Sequence, residues 1–295
     1  MALQTRARWS VLDALILGAL AALVGWVSWR VNSVFHYRWD WSTVWPFLIR
    51  IDPVTGQWAP NLLLQGLATT IRLTLWGMLL AVAIGTVMGW ARAQQRLLWR
   101  LISGSYVMTV RNIPPVVFVF IFVFFISSHF MPWLRLTERA RAMPESVQWV
   151  LEILFGPVAL LDNFFLGLIC LAVFSGAYVT EIVRAGLQAV PRSQIEAAQS
   201  LGLSGWLTAR LVVLPQALRA VLPPLAGQLI QLIKDSSLVS LVSIQELSFM
   251  AQDVQVSTQR VFEVFLLVAA IYFGVCFSLS RLFGWLEARH AAATR

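Results

Sequence analysis

Residues 177–215 read AYVTEIVRAGLQAVPRSQIEAAQSLGLSGWLTARLVVLP, and this stretch decides how the rest of the chain is understood. It leaves an apolar span, passes through a charged turn and a short polar segment, and enters another apolar span. Ser193 and Glu196 have the S-x-x-E spacing of a capping box, and Gly202 sits where a helix would stop. The spacing predicts a short helix over residues 194–201, lying across a membrane face. Ile195, Ala198 and Leu201 fall on one side of it, and Ala197 with Ala198 extends a small-residue surface, so the helix has the form of a knob offered to a partner. A capped linker helix with no partner has the same spacing.

Composition places that helix beside a bilayer. Apolar residues make up 59% of the 295, charged residues only 12%, and mean hydropathy is +0.74. A soluble domain carries about twice that charged fraction. The net charge of +8 does not point to nucleic acid, because the arginines are scattered at the ends of apolar spans, where topology and head groups explain them. Cys170 and Cys276 both lie inside apolar spans without metal-ligand spacing and read as inert thiols.

Six membrane spans are expected, over residues 11–29, 62–90, 101–127, 161–185, 216–234 and 261–285. The first begins like a signal peptide, with Arg6 and Arg8 ahead of it and a small-x-small site at Ala19 and Ala21. It stays apolar beyond that site, so an uncleaved span is expected. Residues 30–60 are rich in Trp, which suits the water–lipid boundary, and Pro46, Pro53 and Pro60 argue against one continuous helix there. In the second span Ala81, Gly85 and Gly89 recur every fourth residue, so another helix can approach closely, and Arg72 is expected to snorkel to the outer interface. Residues 129–161 form a charged outer connection with a short surface helix. A second S-x-x-E box at Ser243 and Glu246 predicts another short helix. Arginines crowd the inner ends, including Arg92, Arg96, Arg100, Arg192, Arg281 and Arg289, which places both termini in the cytoplasm.

Polar residues inside the spans mark a candidate pathway. Arg111 and Asn112 precede Pro114-Pro115 in the third span. An arginine facing lipid costs about 3 kcal/mol, so Arg111 is expected to face protein, water or a carboxylate unless it only pins the inner end. Glu181 and Arg184, three residues apart, read first as an intrahelical ion pair and alternatively as substrate contacts. Pro223-Pro224 is expected to break the fifth span and free carbonyls near Gln228 and Gln231 at mid-depth. No Walker loop, zinc spacing, nucleophile elbow or catalytic carboxylate pair is present, and His36, His129 and His290 lie near different span ends. The chain therefore reads as a non-enzyme.

Glu196-Ala197-Ala198, Gly202 and Leu214-Pro215 resemble the EAA loop of ABC importer membrane subunits. Upstream, Ala177-Tyr178, residues 181–186 and Val190-Pro191 extend the likeness; downstream, residues 215–219, Pro223-Pro224 and residues 234–238 do so. Together they resemble the polar amino-acid permease family over residues 61–287. That resemblance implies an all-α integral membrane protein of the type I ABC importer fold, with six transmembrane helices, one of them an extra N-terminal helix. Residues 1–60 would hold that helix and the Trp-rich outer segment, residues 61–287 the transport domain with its coupling helix at 191–203, and residues 288–295 a cytoplasmic tail. It implies coupling to an ATPase through Glu196, Ala197, Ala198, Leu201 and Gly202, and a pathway near Arg111, Asn112, Glu181, Gly227, Gln228 and Gln231.

The resemblance also implies that this chain binds no cofactor, with ATP and Mg held by cytoplasmic ATPase subunits. The other partners would be a second permease subunit, the same chain or a related one, a periplasmic binding protein and an amino-acid substrate, polar, acidic or broad in range, all at a bacterial inner membrane. Two positions depart from the family pattern: Gly227 stands where Asn is usual after the Pro-Pro pair, and Arg111-Asn112-Ile113-Pro114 stands for Arg-Gly-Thr-Pro. A self-contained secondary transporter or channel using Arg111, Glu181 and Lys234 is the rival reading. It predicts an internal repeat, and no convincing one is found.

Overall fold

The computed structural model describes residues 10–35, 37–53, 56–94 and 96–293. Arg6, Arg8, His36 and the last two residues of the tail lie outside the described residues, as does the side chain of His290. Two compact units make up the chain, Met1–Trp41 and Ser42–Arg295. In the first, helix α1 (Val11–Phe35) is apolar and long enough to cross a membrane. The rings of Trp39 and Trp41 stack after it at 6.1 Å.

The second unit opens with a short antiparallel hairpin, β1 (Ile49–Ile51) against β2 (Trp58–Pro60), with Ile51 opposite Trp58. Asn61 ties the hairpin to the next helix: its Oδ1 accepts from the Leu62 N–H at 2.9 Å while its Nδ2 donates to the Pro46 carbonyl at 2.8 Å. From that cap runs α2 (Leu62–Ala93). Arg72 and Arg92 on this helix are about 20 residues apart with no charged residue between them, a rise of about 30 Å. That distance is the thickness of a hydrocarbon layer, so the two arginines bracket the membrane and the first turns of α2 stand outside it.

After α2 come α3 (Leu97–Asn112) and α4 (Pro115–Ile121), which meet at a 113° bend. The third expected span is therefore not a straight helix. Pro114 and Pro115 lack N–H groups, so the carbonyls of Val110 and Arg111 receive no helical donor; the ladder restarts where the Phe118 N–H donates to Pro114 at 3.0 Å. A π-helical turn (Phe122–Ser127) leads to α5 (Ser128–Leu134), α6 (Leu136–Arg141) and α7 (Glu145–Phe155). The Asp162 carboxylate accepts from the Leu136 and Thr137 N–H groups at 2.8 and 3.3 Å, fixing α6 against α8 (Leu161–Gln188).

The chain then forms α9 (Arg192–Ser200), α10 (Gly205–Thr208), a π-helical turn (Ala209–Val213) and α11 (Leu214–Asp235). A 3-10 segment (Ser236–Val242), α12 (Leu247–Thr258) and α13 (Val261–Ala293) complete it. Among the described residues, four helices are long and apolar enough to cross a bilayer, five if the bent pair is one span. The remaining expected span, α11, has the length to cross, with Arg219, Lys234, Asp235 and three glutamines lowering its hydropathy. Pro223 and Pro224 lie inside it without ending it, a correction to the expected break.

Helix α8 is the centre of this unit, packed on α2, α3 and α11. The four-residue repeat on α2 is the reason it sits so close. A Cβ on Gly85 would stand 2.5 Å from Val179, and one on Gly89 would stand 2.8 Å from Val183 and 2.9 Å from the Thr180 carbonyl. Gly186 gives the same close approach to Val221 of α11. Outside the membrane level, α12 packs on the start of α2, where Gly66 meets the Leu247 backbone.

Candidate functional site

At the inner end of α8 the chain turns at Pro191 into α9. Pro191 is itself the N-cap residue, and no side chain caps the helix. The expected Ser193–Glu196 capping box is absent: Ser193 lies inside the first turn, and the helix starts two residues earlier than the spacing predicts. The other end follows expectation. Gly202 has φ +80°, its N–H donates to Gln199 at 2.9 Å, and the Leu203 N–H donates to Ala198 at 3.2 Å. These two bonds form the Schellman arrangement, which needs a left-handed residue where Gly202 stands.

The faces of α9 are divided sharply. Ala198 is 4% exposed, held within the packing of α9 on α10 and the π-helical turn, which corrects its expected place on the partner side. Glu196 and Ala197 are exposed, and Leu201 is 82% exposed. The short helix is thus locked to its own chain at Ala198, with Ile195 half-buried, while Arg192, Ser193, Gln194, Glu196, Ala197, Gln199 and Ser200 are exposed, as is Leu201 at its end.

Above α9 lies an ion cluster joining α2 and α8. Arg184 donates to Glu181 Oε2 from Nε at 2.9 Å and from Nη2 at 2.8 Å, the intrahelical pair the spacing predicts. Spacing alone shows no sign of a second cation, Arg92, whose Nε lies 3.1 Å from Glu181 Oε1. This is a charge contact more than an aligned hydrogen bond, since that oxygen and Arg92 Nη1 are buried without a hydrogen-bond partner. Glu181 is thereby engaged from both α2 and α8.

Higher in the membrane, Ser103 donates to the Met88 carbonyl at 2.7 Å and Tyr106 to the Val173 carbonyl at 2.6 Å, so α3 climbs beside α2 and α8. These bonds carry Arg111 to the level of Tyr178, with its guanidinium 5.2 Å from the ring centroid. Among the described residues no carboxylate lies within ion-pair distance of Arg111. Gln228 of α11 is buried and donates to Ser175 at 3.0 Å, a turn from Tyr178 on the same helix. Gln231 donates to Asp235 at 2.8 Å. Asn112 and Gly227 are not buried, and a Cβ on Gly227 would meet nothing within 4 Å. The structure thus puts Arg111 and Gln228 against successive turns of α8, at Tyr178 and Ser175, while Glu181 stands a turn further along the helix.

A second polar centre went unread in the sequence. Glu246, fully buried, is the N-cap of α12, and its Oε1 accepts from the Phe249 N–H at 3.0 Å. The expected box beginning at Ser243 is corrected, since Ser243 instead ends the 3-10 segment in the left-handed region. Glu246 Oε2 accepts from Tyr272 at 2.7 Å and Thr70 at 3.2 Å, tying α2, α12 and α13 together. Burial nevertheless pushes the Glu246 carboxyl above the ordinary glutamate range, against the pull of these bonds.

Long apolar helices packed round α8, with a short exposed helix between two of them, define a helical membrane subunit. The chain belongs to the family of binding-protein-dependent transport system inner membrane components, whose profile matches residues 81–291. It is 29% identical to the inner membrane amino-acid ABC transporter permease protein YhdY of Escherichia coli K12, over 96% of this chain and 72% of the relative. It is 33% identical to the probable glutamine ABC transporter permease protein GlnP of Bacillus subtilis, over 76% of this chain and 92% of that one.

Among solved structures, an amino acid ABC transporter crystallised with histidines matches 77% of this chain and 94% of its own, at TM-score 0.62 and 30% identity. The methionine transporter MetNI shares the fold at TM-score 0.52 and 19% identity. Members of this family are membrane permeases, not enzymes: ATP hydrolysis belongs to a separate subunit, and a binding protein belongs to the system. The self-contained transporter reading falls with that membership.

Proposed function

We propose that this chain is the permease subunit of an ATP-driven amino-acid importer in a bacterial inner membrane, with α9 as the helix seated on a cytoplasmic ATPase that holds ATP and Mg. Its companions are a second permease subunit and a periplasmic binding protein. Six spans, with α3–α4 as the third and α11 as the fifth, put both termini in the cytoplasm. The relatives' names support amino acids as the cargo.

The observation that carries the reading is the divided α9. A linker helix has no need of a locked back and a bare front, whereas a coupling helix needs both, because force is transmitted only through a rigid seat. Glu196, Ala197 and Leu201 make the contact; Ala198 and Gly202 hold the seat. In the pathway, Arg111 takes the carboxylate that every amino acid carries, in a place where a partner anion is worth most. Asn112, Gly227, Gln228 and Gln231 line the same route, and Glu181 holds its inner mouth together.

The test is uptake of labelled amino acids beside substrate-stimulated ATP hydrolysis, in vesicles holding the chain, its ATPase and its binding protein. Because no cap depends on Glu196, Glu196→Gln removes only a charge-assisted contact, about 1.5–3 kcal/mol, and uptake is expected to fall while hydrolysis persists. Wild-type values of both for Glu196→Gln and Ala197→Trp would make α9 an ordinary linker. Arg111→Gln should abolish uptake with the subunits still copurifying.

A further inference from the structure

Helix α7 is held by its polar side and bare on the other. Arg72 Nε of α2 donates to the Ile153 carbonyl and Trp76 Nε1 to the Leu154 carbonyl, both at 3.0 Å, satisfying acceptors at the end of α7 that have no helical donor. Gln148 donates to the carbonyls of Arg141 and Met143 at 3.2 and 2.8 Å, while Leu151 and Phe155 pack on Ala140, Val158 and Leu161. The remaining surface carries Val147, Trp149, Val150, Ile153 and Leu154, all exposed. At about 100° per residue these five cover an arc of about 160°, interrupted only by Ser146.

We propose that this face is seated in the outer leaflet of the bilayer, and that lipid is its partner. Three observations select lipid. First, the anchoring residue Arg72 is the outer of the two arginines that bracket the hydrocarbon layer, so the end of α7 lies at the boundary itself. Second, Leu75 and Leu79, exposed on the same side of α2 as Arg72 and Trp76, continue the bare face without a polar break. Third, Trp149 and, one segment earlier, Trp133 are among the most exposed side chains of the chain, and indoles favour the head-group level. An apolar arc of this width with no lysine or glutamate on it would not stay in water.

The consequence reaches the outer mouth. Phe155 and Pro157, at and just after the end of α7, line a small open cleft with Thr69, Leu160, Asn163 and Gln245. Seating the outer face of α7 in lipid thus fixes a helix whose end borders that cleft.

The experiment uses the assembled transporter in phosphatidylcholine–phosphatidylglycerol vesicles, in a Cys170→Ala, Cys276→Ala background. Bimane is attached at Val150→Cys, at Ile153→Cys and, as a solvent reference, at Glu138→Cys. At 150 and 153, doxyl-labelled lipid should quench about an order of magnitude better than iodide, most strongly with the label near the head group, as for a helix about 5–10 Å into the boundary region. Position 138 should show the reverse. Iodide quenching at 150 and 153 equal to that at 138 would place the face in water, and protection from both quenchers would place it under protein. Either result overturns the proposal and leaves the coupling reading of α9 untouched.

Discussion

At Gly85 an added methyl would stand 2.9 Å from the Val179 carbonyl carbon as well as against its side chain, so backbone as well as side chain must give way. Gly85→Ala is expected to lower stability by about 1–3 kcal/mol, read as a lower melting temperature of the purified subunit. Gly227→Ala, with open space around it, should leave melting unchanged and report on transport alone. Gly202→Ala meets no atom but is forced into a left-handed backbone at a cost of about 1–2 kcal/mol, which should loosen the α9 seat and lower uptake per ATP hydrolysed. For Glu246 the sign follows from its raised folded pKa: the native state holds the proton more tightly than the unfolded chain. Its contribution is full below the unfolded pKa and lost as pH rises through the folded one. Melting temperature should fall over that acid window in wild type, and Glu246→Gln should flatten the slope. The glycine repeat on α2 was legible because spacing alone defines a groove. Glu246 was not, because its partners Thr70 and Tyr272 come from helices far apart in sequence.

Among the helices, α9 shows why a motif can mark a helix correctly and its faces wrongly. S-x-x-E spacing is blind to Pro191, whose backbone has the extended conformation of a cap and starts the helix early; the shift moves Ser193 into the first turn. Ala197→Trp should melt like wild type and lose coupled uptake, because its methyl faces out. Ala198→Trp should lower the melting temperature as well, because the ring has no room between α9 and α10. Equal melting of the two variants would mean that the faces are assigned wrongly. The two proline pairs act differently. At Pro114-Pro115 they produce a bend of 113°, whereas Pro223-Pro224 lies on an exposed face of an unbroken α11, since the adjoining turns are fixed by Gly186 against Val221 below and Gln228 on Ser175 above.

Across the whole molecule, hydropathy marks α1, α2, α8, α13 and the bent α3–α4 pair but not α11, and arginine placement predicts the side on which loops fall. A cysteine at Gln199 is expected to react with an impermeant thiol reagent only from the cytoplasmic side, and one at Glu138 only from the other; labelling of both from one side would overturn the topology. What hydropathy does not record is which contacts are tight. Between α2 and α8 there is no room for a methyl at Gly85 or Gly89, and the Arg92–Glu181–Arg184 cluster clamps the same pair lower down. Two rods fused this closely form one body. They make a mast, with α11 lashed to it by Gly186 against Val221, and a passage that alternates beside it has to be opened by what is not lashed in this way: the hooked end where α3 turns into α4.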